Sequence, residues 1–95
     1  MFTHIVLFKL KDSTKENMEK AKAILSSMEG KIEELKYLEV GVDIIRSERS
    51  YDIALITRFN SKEDMDEYQV SEYHVNHVIK DLKPLLESSV ALDYW

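Results

Sequence analysis

The spacing of apolar residues changes along this chain in the order strand, helix, strand, strand, helix, strand, and that order leaves few folds open. Residues 2–10 alternate, with Phe2, His4, Val6, Phe8 and Leu10 on one face and Thr3, Ile5, Leu7 and Lys9 on the other. Ser13 and Glu16 have capping-box spacing. Behind them Met18, Ala21, Ile24, Leu25, Met28 and Ile32 form a helical stripe that closes near Gly30. Leu38, Val40, Val42 and Ile44 alternate, which predicts a second strand over 36–46. After a polar connection from Arg46 to Ser50, the residues Tyr51, Ile53, Leu55, Thr57 and Phe59 mark a third strand, the hairpin partner of the second. Ser61 to Asp64 signals a helix start, with Met65 and Tyr68 on one face. A last helix is expected over about 72–87, and Val90 to Trp95 reads as a short fourth strand.

With right-handed crossovers and a paired central hairpin, β-α-β-β-α-β gives an α+β, ferredoxin-like fold around a four-stranded antiparallel sheet. Two helices cover only one face of such a sheet. The first strand is nevertheless apolar on both sides, with Ile5 and Leu7 opposite Val6 and Phe8. An apolar sheet face needs a cover, and a second copy of the same sheet is the economical one, so the chain is expected to form a homodimer.

Ninety-five residues fit one domain, 1–95, too small to bury a large share of its surface alone. A content of 44% hydrophobic and 33% charged residues is that of a globular chain. The net charge of -5 argues against nucleic acid as a partner. With no cysteine there is no disulfide, thiolate metal site or thiol nucleophile. The first residues lack a basic leader and a small-residue cleavage site, and no apolar run reaches the roughly 20 residues of a membrane helix, so the expected location is the cytoplasm, away from membranes.

Chemistry concentrates between Tyr68 and His77, where two of the three histidines lie; His4 in the first strand is the third. Imidazoles beside a phenol can do acid–base work near neutral pH without a cofactor. At 100° per residue, Val75, Val78, Ile79, Leu82, Leu85 and Leu86 share one helix side, and His74 borders that stripe. His77 falls on the solvent side with Tyr73 and Asn76, one turn from Asp81. His74 and His77 also have the i, i+3 spacing of some metal pairs, but helical histidine pairs alone do not signal a metal, and none is assigned. The expected ligand-binding set is His4, Val6, Phe8, Tyr68, His74 and His77, with His74, Tyr68 and His4 as its reactive members. A neutral imidazole would take a proton from a carbon beside a carbonyl while a phenol hydrogen-bonds the enolate.

Several segments together resemble the stress-responsive α/β-barrel (Dabb) domain, one of the dimeric α+β barrels. They are the opening His4-Ile-Val-Leu-Phe-Lys-Leu, the central Gly41-Val-Asp, the Tyr51 strand, Tyr68 to His74, and Asp93-Tyr94. The resemblance spans nearly the whole chain. It implies a homodimer whose sheets close into a barrel with the helices outside. The family includes plant stress proteins, bacterial proteins of unassigned role and polyketide cyclases; related barrels include monooxygenases. Its last-helix motif runs Tyr-x-x-His-Pro-x-His. Tyr68 and His74 keep the outer positions, while Ser71 and Glu72 replace the inner histidine and proline, which alters the approach to the helix. In cyclase members the histidine matching His74 acts as base and the tyrosine matching Tyr68 assists.

Three functional readings follow. The first is a dimeric barrel that binds a small apolar or aromatic molecule, stress-related by resemblance. The second is a cofactor-independent cyclase-like or monooxygenase-like enzyme. The third is a non-catalytic assembly protein.

Overall fold

The computed structural model describes residues 1–95. Its elements are β1 (Phe2–Leu10), α1 (Lys15–Ser26), β2 (Tyr37–Val42), β3 (Ile53–Phe59), α2 (Lys62–Val70) and β4 (Leu86–Tyr94). Between α2 and β4 run a π-helical stretch (His74–Ile79), one α-helical turn, α3 (Lys80–Leu82), and a 3₁₀ turn (Lys83–Leu85). The four strands form one antiparallel sheet in the order β2-β3-β1-β4, the ferredoxin-like arrangement that the periodicities predict.

Strand alternation divides the sheet into two faces. Phe2, Phe8 and Leu10 of β1 and Ile53, Leu55 and Phe59 of β3 point to the helices and are buried there against Met18, Ala21 and Leu25 of α1. Met65 and Tyr68 of α2, with Val78 and Leu82 beyond it, complete the same core. On the other face Ile5 stands between Ile56 and Leu92, and Leu7 between Ala54 and Val90. No helix covers this face, and Leu92 and Val90 are 61% and 46% exposed.

Local chemistry shifts several expected boundaries. Helix α1 is capped by Thr14, whose hydroxyl accepts from the Asn17 N–H, so the Ser13–Glu16 capping box does not form. The helix stops at Ser26, earlier than its stripe; Met28 and Ile32 still reach the core from the turns around Gly30, which lies at φ 75°. Strand β2 ends at Val42, because the Asp43 carboxylate accepts the Arg46 N–H at 2.7 Å and bends the chain into a turn. Ile44, the last alternating residue, is consequently 86% exposed.

The expected helix over 72–87 is not one regular helix. Ser71 is extended at ψ 149°, which separates α2 from the π-helical stretch. Pro84 has no N–H and would clash with the carbonyl one turn back, so the helix tightens into a 3₁₀ turn and ends at Leu85. Leu86 and Glu87 therefore open β4, a nine-residue strand in place of the short one expected from Val90. No helix is long and apolar enough to cross a membrane.

Candidate functional site between the sheet and the last helical stretch

The alternation of β1 puts His4 on the helix-facing side with Val6 and Phe8, where His4 is 8% exposed. The β1–β4 register sets Asp93 directly opposite, and its carboxylate accepts a hydrogen bond from His4 Nδ1. In the sequence Asp93 stands out only as part of the family-like Asp93-Tyr94 pair, with no sign that it meets His4. It is one of eighteen acidic residues, and its partner lies 89 positions away.

Helix α2 is capped by Ser61, whose hydroxyl accepts from the Asp64 N–H. It carries Tyr68 into the core, with its ring 4.9 Å from that of Phe59 and 4.6 Å from that of His74. The Tyr68 hydroxyl donates to Met28 Sδ at 3.6 Å. Burial pushes its pKa well above the ordinary value, so the phenol stays neutral. The ring of Tyr68 thus lines the site while its polar end is engaged elsewhere. The hydroxyl expected from the sequence to bind an enolate has Met28, a residue outside the cavity lining, as its hydrogen-bond partner.

Ser71 ends α2, and its hydroxyl accepts the His74 N–H at 3.2 Å. The His74 ring folds back so that Nδ1 lies 3.0 Å from the carbonyl oxygen of Gln69. Burial lowers the His74 pKa; the Gln69 carbonyl works in the opposite direction, and the charge of His4 lowers it further.

His4, Tyr68 and His74 converge on a single cavity of about 180 Å³ between β1 and the helices. Val6 and Phe8 line it as expected, and Leu55, Val78 and Leu82 add further apolar wall. His74, Val78 and Leu82 follow one another at four-residue steps down one side. Ser89 of the edge strand and Gln69 are its exposed polar rim.

His77 is not in this cavity. It sits in a separate shallow groove with Ile24, Tyr73 and Asp81, its ring 4.9 Å from that of Tyr73. Its nearest carboxylate is Glu72, at 3.8 Å, in place of the expected Asp81. His74 and His77 therefore face different spaces and do not converge on one point. Ser71 and Glu72, the departures from the last-helix motif, border another groove and line neither the cavity nor its rim.

Comparison with known proteins agrees with this architecture. A dimeric ferredoxin-like protein of unknown function from Thermobifida fusca superposes with a TM-score of 0.83 at 26% identity, covering 98% of this chain and 88% of its own. A dimeric protein of unknown function and ferredoxin-like fold from Bacteroides fragilis gives 0.82 at 31% identity, covering 98% and 93%. The hydroxynitrile lyase of Passiflora edulis gives 0.80 at 20% identity over 98% and 90%, a likeness of fold alone. No curated protein sequence matches. The model of the stress responsive A/B barrel domain matches residues 2–95, and the chain belongs to that family, Dabb.

Proposed function

We propose that residues 1–95 act in the cytoplasm as one domain that pairs with a second copy through the open sheet face and binds a small apolar or aromatic molecule in the His4–Tyr68–His74 cavity. The observation that carries the binding reading is the cavity itself. Its wall is mostly apolar, its volume is about 180 Å³, and its few polar groups come from separate elements. A void of about 150 Å³ is enough for benzene, so one ring or a short branched chain is the size of ligand it suits. Homodimer formation is supported by the uncovered Ile5, Leu7, Val90 and Leu92, and by the relatives from Thermobifida fusca and Bacteroides fragilis, both described as dimeric. Two such faces packed together would close the barrel for which the family is named. The link to stress rests on the family's description.

The test is a titration of the protein with benzene, toluene and phenol, followed by NMR, beside the variant Val6→Phe, which fills the cavity from β1. Binding by the natural chain that Val6→Phe abolishes, with light scattering unchanged, is the expected result. Equal binding by both would move the ligand elsewhere.

The two imidazoles against an apolar wall support a second reading, a cofactor-independent acid–base enzyme of the cyclase-like or monooxygenase-like kind. In that reading His4 and His74 handle the proton, and Tyr68 supplies only a ring face. Turnover of an accepted substrate that survives His74→Ala unchanged would remove His74 from that role.

A further inference from the structure

We infer that the cavity selects molecules that donate hydrogen bonds, because each of its imidazoles meets an acceptor at Nδ1 and, in its neutral form, can offer a ligand only the bare lone pair of Nε2. The inference rests on the binding reading above and gives its ligand a chemical class.

The tautomers follow from what each ring faces. The partner of His4 Nδ1 is the Asp93 carboxylate, an acceptor with no proton to give when ionised. The partner of His74 Nδ1 is the Gln69 carbonyl, an acceptor at any pH. In a neutral ring the nitrogen that meets an acceptor carries the hydrogen, and the other keeps its lone pair. Neither Nε2 has a hydrogen-bond partner in the protein, and no fully buried polar side-chain atom is left unsatisfied, so both keep accessible surface on rings that line the cavity.

No other buried group offsets these two acceptors. The Tyr68 hydroxyl is engaged by Met28 Sδ, and the walls contributed by Val6, Leu55 and Val78 are apolar. Ser89 and Gln69 are exposed at the rim. A ketone or ether would bring a third acceptor and leave every lone pair unmatched after losing its water. A hydroxyl or N–H on a small ring satisfies one imidazole directly, and a molecule with two such groups satisfies both. Asp93, which touches no ligand, is a positioning residue: it fixes which nitrogen of His4 faces the cavity.

The experiment pairs ¹⁵N NMR of the histidine rings near neutral pH with titrations of phenol and its methyl ether, anisole, which have similar shape and differ in the donor. The expected spectra show hydrogen on Nδ1 of both His4 and His74, and phenol binds at least about tenfold more tightly than anisole. In Asp93→Asn the new amide can donate to His4 Nδ1 and release the Nε2–H tautomer, so the preference for phenol should fall severalfold. Equal affinities for the two probes in the natural chain, or hydrogen on Nε2 of either ring, would overturn the inference and leave the binding reading standing. Binding of neither probe would overturn that reading and the inference together. A preference unchanged in both Asp93→Asn and Asp93→Ala would remove Asp93 from its positioning role.

Discussion

The hydroxyl of Tyr68 meets Met28 Sδ at 3.6 Å, and Met28 does not line the cavity that the Tyr68 ring walls. The tyrosine therefore serves the site as an aromatic surface packed between Phe59 and His74. A hydrogen bond to sulfur is weak, and its partner is a thioether that loses little when left alone. Tyr68→Phe should change stability by no more than about 1 kcal/mol and leave ligand affinity unaltered. Tyr68→Ala, by contrast, empties a fully buried ring and should cost about 3–5 kcal/mol. Urea unfolding measures both. A loss of binding in Tyr68→Phe would show that the hydroxyl reaches the ligand after all.

That relationship marks how far the sequence could be read. Strand alternation put His4, Val6 and Phe8 on one face because a period of two assigns each Cβ without ambiguity, and all three line the cavity. Helical spacing brought Tyr68 inward in the same way, but it gives the direction of the ring's stem and not where the hydroxyl ends. The last helix was less legible. A uniform 100° step puts Val75 in the buried stripe, whereas the widened π-helical turn leaves it 44% exposed and keeps Val78 and Leu82 inside. Asp93 was invisible as a site residue for another reason: nothing local to it differs from the other surface carboxylates, and only the β1–β4 register brings it to His4.

Burial of His74 gives the fold a pH dependence with a definite sign. Its pKa lies below the ordinary 6.5, chiefly because the ring is desolvated. As pH falls through that ordinary value, the unfolded chain takes up a proton before the folded one does. Unfolding is then favoured, and stability declines until the folded-state pKa is passed. Urea midpoints for the natural chain and His74→Asn, taken between about pH 7.5 and about pH 5.5, isolate the contribution. The natural chain should lose more stability than the variant over this range. Parallel curves would mean that His74 titrates as freely in the fold as out of it.

The open sheet face supplies a prediction about assembly. Ile5 and Leu7 sit in the middle of an apolar band that Ile56, Ala54, Leu92 and Val90 extend to both sides. A carboxylate placed there is hydrated in a lone chain but would be stripped of water between two sheets. Ile5→Asp and Leu7→Asp should each convert a dimer to a monomer by light scattering at micromolar concentration. A natural chain that is itself monomeric there would contradict the homodimer.

Asp52 joins three segments at the far end of the sheet from His4. It is 2% exposed; its Oδ2 accepts the Leu10 N–H and its Oδ1 an Arg46 N–H, each at 2.7 Å. Its own N–H donates to the Phe8 carbonyl, and its carbonyl accepts the Asp43 N–H. The side chain thereby ties the end of β1 to the loop that carries Arg46, whose left-handed φ of 58° is held by Asp43. Removing the carboxylate leaves the Leu10 N–H without a partner, a loss of about 1–3 kcal/mol. The freed Arg46 head, already part-exposed, returns to water and adds little. Asp52→Ala should therefore lower the urea midpoint clearly. Asp52→Asn should fall between the two, since one amide oxygen can still accept from Leu10 while its NH₂ cannot pair with a guanidinium. An Ala variant as stable as the natural chain would show that water replaces the carboxylate at Leu10 without cost.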